Sequence, residues 1–156
     1  MSSNREMTAV ANIVKVTLKQ ETDYRFAIQF GPDIPVVYGD EPPPLGRASG
    51  PAPTQLLGAA VGNCLSASLL FALRKFKQQP EPIGTEVQVI VDRNADNHLR
   101  VTHIAARLTI GVAAASLEHL DRVLSQFEEY CTVTQSIRQG IPVDVTIFDS
   151  TGVQLN

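Results

Sequence analysis

The run LLGAAVGNCLSASLLFAL, residues 56–73, decides the fold, because it is apolar or small along almost its whole length. Pro53 precedes it, where a helix tolerates proline in its first turn, and Arg74 and Lys75 follow, where cations suit the end of a helix. A helix that is apolar on every face is buried, and the glycines and serines in this run dilute it below a typical membrane span. The sequence therefore predicts a long, buried, central helix over residues 54–78.

Strand patterns precede this helix. Apolar and polar side chains alternate over residues 14–18 and 25–30. The short segment 34–38 is rich in residues that favour strands. Gly-Pro-Asp at 31–33 marks a turn, and the proline-rich stretch 40–53 reads as a loop. The close spacing of the three patterns predicts an antiparallel meander.

Two strands joined at a turn over residues 94–97, a second helix and a last strand over 143–147 follow the long helix. Ser116 is the expected cap of that second helix. Its apolar positions, spaced as one helical stripe, are Leu117, Leu120, Leu124, Phe127 and Cys131. The predicted order is βββ–α–ββ–α(α)–β, an α+β fold. We expect one domain over residues 1–156, with a disordered N-terminus over residues 1–8.

Composition limits the classes of function. The chain has 156 residues, of which 44% are hydrophobic and 19% charged, with a net charge of −3 and no basic stripe. Nucleic acid is therefore not an expected partner, since phosphate binding needs clustered lysine and arginine. The N-terminal MSSNREMTAV lacks the apolar core of a signal peptide. A cytoplasmic protein with no membrane partner is the expectation.

Cys64 and Cys131 are the residues on which chemistry would depend. Both lie on faces predicted to point inward, so each can be a small core residue, as free cysteines often are. Facing each other, they could instead cycle between dithiol and disulfide. The three histidines, His98, His103 and His119, show no metal-ligand spacing, and no phosphate-binding glycine loop occurs. Neither a metal nor a bound cofactor is expected.

Two segments resemble the OsmC/Ohr family, the osmotically inducible and organic-hydroperoxide-resistance proteins. The first is GPAPTQLLGAAVGNC, residues 50–64, in which a proline opens a helix that runs through small residues to cysteine. The second begins with CTVT at residues 131–134, continues to Gly140 and is followed by a valine-rich strand. The resemblance implies an intertwined homodimer in which long central helices are covered by shared sheets. A helix apolar on every face agrees, since it needs more cover than one small chain supplies.

The resemblance also implies roles for particular residues. Cys64 would attack a hydroperoxide, Cys131 would condense with the sulfenic acid, and an external dithiol such as a lipoyl group would reduce the disulfide. An arginine of the N-terminal hairpin would favour the thiolate, and Arg25 matches better by position than Arg47. Thr54 stands where the family has the glutamate that holds this arginine. With Asn63, it is also expected to line the substrate pocket.

Two hypotheses for function follow. The first is a cysteine-based peroxidase that reduces organic hydroperoxides in oxidative-stress defence. The alternative is a non-catalytic or weakly catalytic relative that binds a small apolar ligand. Thr54 is the residue that separates them, because threonine cannot supply the carboxylate.

Overall fold

The computed structural model describes residues 11–156, which form two compact units, the first ending at Ala52 and the second being Pro53–Asn156. The expected disorder of residues 1–8 falls outside the described residues. The single domain expected over residues 1–156 stays a prediction.

The first unit is the predicted antiparallel meander. Strands β1 (Thr17–Thr22), β2 (Arg25–Gln29) and β3 (Val37–Gly39) form one sheet in the order β1-β2-β3. The first strand begins at Thr17, three residues later than residue 14, where its alternating pattern starts. Thr17 pairs with Gln29, the last residue of β2, so the residues before Thr17 have no β2 partner.

The second unit is built on one long helix, α1 (Pro53–Lys75), and a second sheet. Strand β4 (Gly84–Arg93) pairs antiparallel with β5 (Leu99–Thr109), which pairs parallel with β6 (Val143–Phe148). A parallel pair needs a crossover connection. Here the connection contains two short helices, α2 (Leu120–Gln126) and α3 (Thr132–Ile137).

One face of α1 is part of the core. Val61, Leu65 and Leu69 have no exposed surface and belong to one cluster with buried residues of β5 and β6. Two glycines let the helix approach β4 closely. A Cβ atom added at Gly62 would lie 2.8 Å from Cγ2 of Val87, and one at Gly58 would lie 2.9 Å from Cγ2 of Val89. Both distances are too short for real atoms, so only glycine fits there.

The opposite face of α1 is left uncovered by the other described residues of the second unit. Its exposed residues are mostly apolar or small: Ala59, Ala60, Asn63, Ala67 and Phe71. The Phe71 side chain is 58% exposed. Within the described part of the second unit, the predicted burial on all sides therefore holds for one face of α1. By length and composition α1 could also cross a membrane, but the same is true of core helices in soluble proteins.

The predicted second helix is divided into shorter segments. The Ser116 hydroxyl donates to the Ala113 carbonyl at 2.8 Å and closes a 3₁₀ turn, so it does not cap a helix. After α2, a 3₁₀ turn (Phe127–Tyr130) and an extended residue, Cys131, precede α3. The apolar stripe still faces inward, since Phe127 and Cys131 are fully buried. The expectation of one continuous helix was wrong, but its buried face was predicted correctly.

The observed order of strands and helices matches the predicted order βββ–α–ββ–α(α)–β. Both small sheets and the helices between them give a mixed α+β architecture. The predicted fold class is therefore confirmed.

Candidate functional site

Cys64 and Cys131 are neighbours in the second unit. The Cys64 side chain lies close enough to the Cys131 thiol to share a hydrogen bond with it. Neither cysteine is in a disulfide. Cys64 lies on α1. Cys131 is the extended residue that separates the 3₁₀ turn from α3. Two thiols in contact can form an intrachain disulfide with little rearrangement.

The two cysteines differ in access. Cys131 has no exposed surface, whereas Cys64 is half-buried. On α1, Cys64 lies at the border between the core-facing side and the uncovered side, since Val61 is buried and both Ala60 and Ala67 are exposed. A small molecule can therefore reach Cys64 more readily than Cys131.

Burial and the neighbouring Cys64 thiol both raise the pKa of the Cys131 thiol above its usual value. Contacts with Thr134 act in the opposite direction. The Cys131 thiol donates a hydrogen bond to the Thr134 hydroxyl, with 3.0 Å between Sγ and Oγ1. Cys131 is thus a mostly protonated thiol at neutral pH, buried in the core.

Thr54 and Asn63, predicted to line a substrate pocket, share an open groove of about 520 Å³ between α1 and β4. Gly58, Gly62 and Ser66 form its floor on the helix side, and Val87 and Val89 are on the β4 side. Cys64 is two residues from both Gly62 and Ser66, which places it on the opposite side of α1. Their role as substrate-pocket residues stays a prediction.

In the first unit, Arg25 is held on several sides. Its Nε donates to Oε2 of Glu21 at 2.9 Å, and its Nη1 donates to the Ser49 hydroxyl at 2.8 Å. The guanidinium also lies over the Tyr38 ring, with 4.2 Å from Cζ to the ring centroid. Arg25 therefore has a carboxylate partner within its own hairpin, which the sequence reasoning based on Thr54 did not foresee.

Asp40 supports this arrangement from the loop that follows β3. Its Oδ2 accepts hydrogen bonds from the Ser49 hydroxyl at 2.7 Å and from the Ser49 and Arg47 backbone N–H groups. These bonds lower the pKa of Asp40 to about 2, and the bond from the Ser49 hydroxyl has the largest effect. Asp40 is therefore ionised at neutral pH. Arg25, Ser49 and Asp40 thus form a connected polar chain. Arg47 contributes its backbone N–H to this chain, and its side chain is exposed.

Sequence reasoning singled out the cysteines but missed Thr134, Ser49 and Asp40. Thr134 is three residues after Cys131, one turn along the chain, so its proximity was available from spacing alone. Ser49 and Asp40 lie in a proline- and glycine-rich loop, where no periodicity indicates which side chains meet.

Comparisons with known proteins agree on one family. The model of the family described as OsmC-like protein matches residues 46–146, a segment that contains both cysteines. No curated protein sequence matches the chain.

Solved structures share the fold at low sequence identity. An OsmC-like protein of unknown function from Vibrio cholerae is 15% identical with a TM-score of 0.74, covering 88% of this chain and 99% of its own. An organic hydroperoxide resistance protein from Elizabethkingia anophelis is 12% identical with a TM-score of 0.71. The match covers 90% of this chain and 99% of that protein. The organic hydroperoxide resistance protein OhrB of Bacillus subtilis is 16% identical with a TM-score of 0.65. The match covers 87% of this chain and 98% of that protein. At such identities the likeness establishes the fold.

Proposed function

Because the chain belongs to the OsmC-like protein family, we propose that it is a cysteine-based peroxidase that reduces organic hydroperoxides through a Cys64/Cys131 thiol–disulfide cycle. The observation that carries the proposal is the contact between a half-buried and a fully buried thiol. Two structural neighbours are organic hydroperoxide resistance proteins, which supports peroxide defence as the role. We also propose a cytoplasmic location, where cysteine thiols are kept reduced between cycles.

In the proposed reaction, each of the two thiols carries out one nucleophilic attack. The Cys64 thiolate attacks the terminal oxygen of the hydroperoxide, the O–O bond breaks, and the alkoxide takes a proton and leaves as an alcohol. Cys64 is then a sulfenic acid. Cys131 attacks the Cys64 sulfur, an S–S bond forms, and the hydroxyl group leaves as water with the proton lost by Cys131. An external dithiol, such as a lipoyl group, reduces the disulfide.

The different access of the two sulfurs supports this division of roles. The attacking thiol has to meet the substrate, and Cys64 is the more accessible of the pair. The second thiol has to meet only Cys64, and Cys131 is fully buried beside it. Cys131 belongs to the apolar core of this unit and Cys64 packs against it, which favours an organic hydroperoxide over hydrogen peroxide.

The first expected result concerns the disulfide. Mild treatment of the reduced protein with an alkyl hydroperoxide should give a Cys64–Cys131 intrachain disulfide, because the two thiols are already in contact. Peptide mapping without reduction would detect the linked peptides. Over-oxidised Cys64 together with a free Cys131 thiol would contradict the proposed second step.

The second expected result concerns assembly. The uncovered face of α1, with Phe71 58% exposed, leads us to propose a homodimer in which a second copy covers it. Sedimentation at low micromolar concentration should show a single dimeric species. Ala67→Glu, which places a charge on this face, should shift the population towards monomer, whereas Gln88→Glu on exposed β4 should not. A folded, monodisperse wild-type monomer would contradict the proposal.

One observation favours the alternative, a small-ligand binder with weak or no catalysis. The groove lined by Thr54 and Asn63 is on the side of α1 away from Cys64, so a ligand there would not meet the thiol. Stopped-flow oxidation of the reduced protein distinguishes the two functions. Fast oxidation by an alkyl hydroperoxide supports the peroxidase, and no oxidation faster than that of a free thiol supports the binder.

A further inference from the structure

Thr134 is a buried polar residue that contacts the second sulfur of the pair. It lies in α3 with no exposed surface, and its Oγ1 is 3.0 Å from Sγ of Cys131. A buried hydroxyl requires a hydrogen-bond partner, and here the partner is a thiol. The hydroxyl can both accept and donate, whereas the apolar side chains of the core cluster that contains Cys131 can do neither.

We infer that Thr134 is a positioning residue for Cys131: its hydroxyl accepts a hydrogen bond from the thiol in the resting dithiol and donates one to the sulfur when Cys131 attacks Cys64. The inference rests on the proposed thiol–disulfide cycle and deepens its second step. It concerns a residue that touches neither the hydroperoxide nor the reductant.

The physical reason is the cost of forming a thiolate where Cys131 lies. Burial and the adjacent Cys64 disfavour the charged form, and Thr134 favours it through its side chain and its backbone N–H. In the dithiol, the thiol donates to Oγ1. Once the thiol loses its proton, the hydroxyl hydrogen can rotate toward the sulfur and make a charge-assisted bond, which is stronger than a neutral one.

The step can be followed without any peroxide. An aryl disulfide reagent that releases coloured thionitrobenzoate first reacts with the accessible Cys64 and leaves a mixed disulfide there. Cys131 then attacks the Cys64 sulfur, the Cys64–Cys131 bond forms, the mixed disulfide breaks, and a second thionitrobenzoate leaves as a thiolate. The proton lost by Cys131 passes to the buffer. The rate of this second release reports the attack by Cys131 alone.

The experiment measures that second release against pH in wild type, Thr134→Val and Thr134→Ser. Valine keeps the size of threonine but has no hydroxyl, whereas serine keeps the hydroxyl. We expect Thr134→Val to slow the release about tenfold at neutral pH, the loss of one hydrogen bond to a charged group. In Thr134→Val, the rate of the second release should also begin to rise at a higher pH than in wild type. Thr134→Ser should stay within about twofold of wild type, because its hydroxyl can still reach the sulfur.

Equal rates in wild type and Thr134→Val across the pH range would overturn the inference. Equal slowing in Thr134→Ser and Thr134→Val would do so too, because packing of the methyl group would then be the cause. A wild type that shows no second release would also overturn it. Circular dichroism checks folding, and Thr134→Ala replaces Thr134→Val if valine prevents folding. If the variants behave as expected but alkyl hydroperoxides do not oxidise Cys64, the peroxidase proposal is wrong and the inference about Thr134 stands.

Discussion

Cys64→Ser should reduce the rate of alkyl hydroperoxide consumption at least about 1,000-fold, because a serine hydroxyl is not ionised at neutral pH and cannot replace the attacking thiolate. The measurement is single-turnover loss of hydroperoxide by the reduced protein, followed by stopped flow. The fold should survive, since serine is close in size and Cys64 is only half-buried.

Cys131→Ser is the matched control. It removes the second thiol but leaves Cys64, so the first oxidation should proceed at nearly the wild-type rate and stop at the sulfenic acid. A sulfenic-acid trap should label this variant and not Cys64→Ser. If Cys131→Ser lost the first oxidation while Cys64→Ser kept it, the roles of the two cysteines would be exchanged.

The family resemblance leads us to propose that Arg25 favours the Cys64 thiolate, so Arg25→Met should slow oxidation of Cys64 about 10- to 100-fold. A cation near a thiolate favours the reactive charged form, and about 1.4 kcal/mol of such stabilisation is roughly tenfold in rate. Methionine keeps much of the length of arginine without its charge. The stopped-flow rate of Cys64 oxidation by an alkyl hydroperoxide gives the readout.

Arg47→Met separates the two candidate arginines. Arg25 is fixed by Glu21, Ser49 and Tyr38, so its charge has a defined position. The Arg47 side chain is exposed, and only its backbone N–H takes part in the Asp40 hydrogen bonds. Arg47→Met should therefore stay within about twofold of wild type. A larger loss in Arg47→Met than in Arg25→Met would give the role to Arg47.

The sequence predicted the fold well because its strongest signals are periodic. The alternation in residues 25–30 predicted β2, and the apolar run of residues 56–73 predicted α1. It predicted poorly where tertiary packing decides the backbone. The stripe from Leu117 to Cys131 reads as one helix, yet the chain forms shorter segments there, with an extended residue at Cys131.

For the site, spacing and residue type pointed to Cys64 and Cys131, and the structure brings them into contact. Their catalytic roles stay predictions. The support around Arg25 could not be predicted, because Ser49 and Asp40 are brought together by a loop held through Asp40 hydrogen bonds. Such contacts depend on the folded path of the loop and leave no periodic trace in the sequence.

The glycines beneath the groove determine where the protein can be redesigned. Any side chain at Gly58 or Gly62 would collide with a valine of β4, so mutant libraries should leave both positions unchanged. Thr54, at the start of α1, instead borders open space of about 520 Å³. This space can hold a glutamate side chain, so the carboxylate that the family resemblance implies can be introduced by a single codon change.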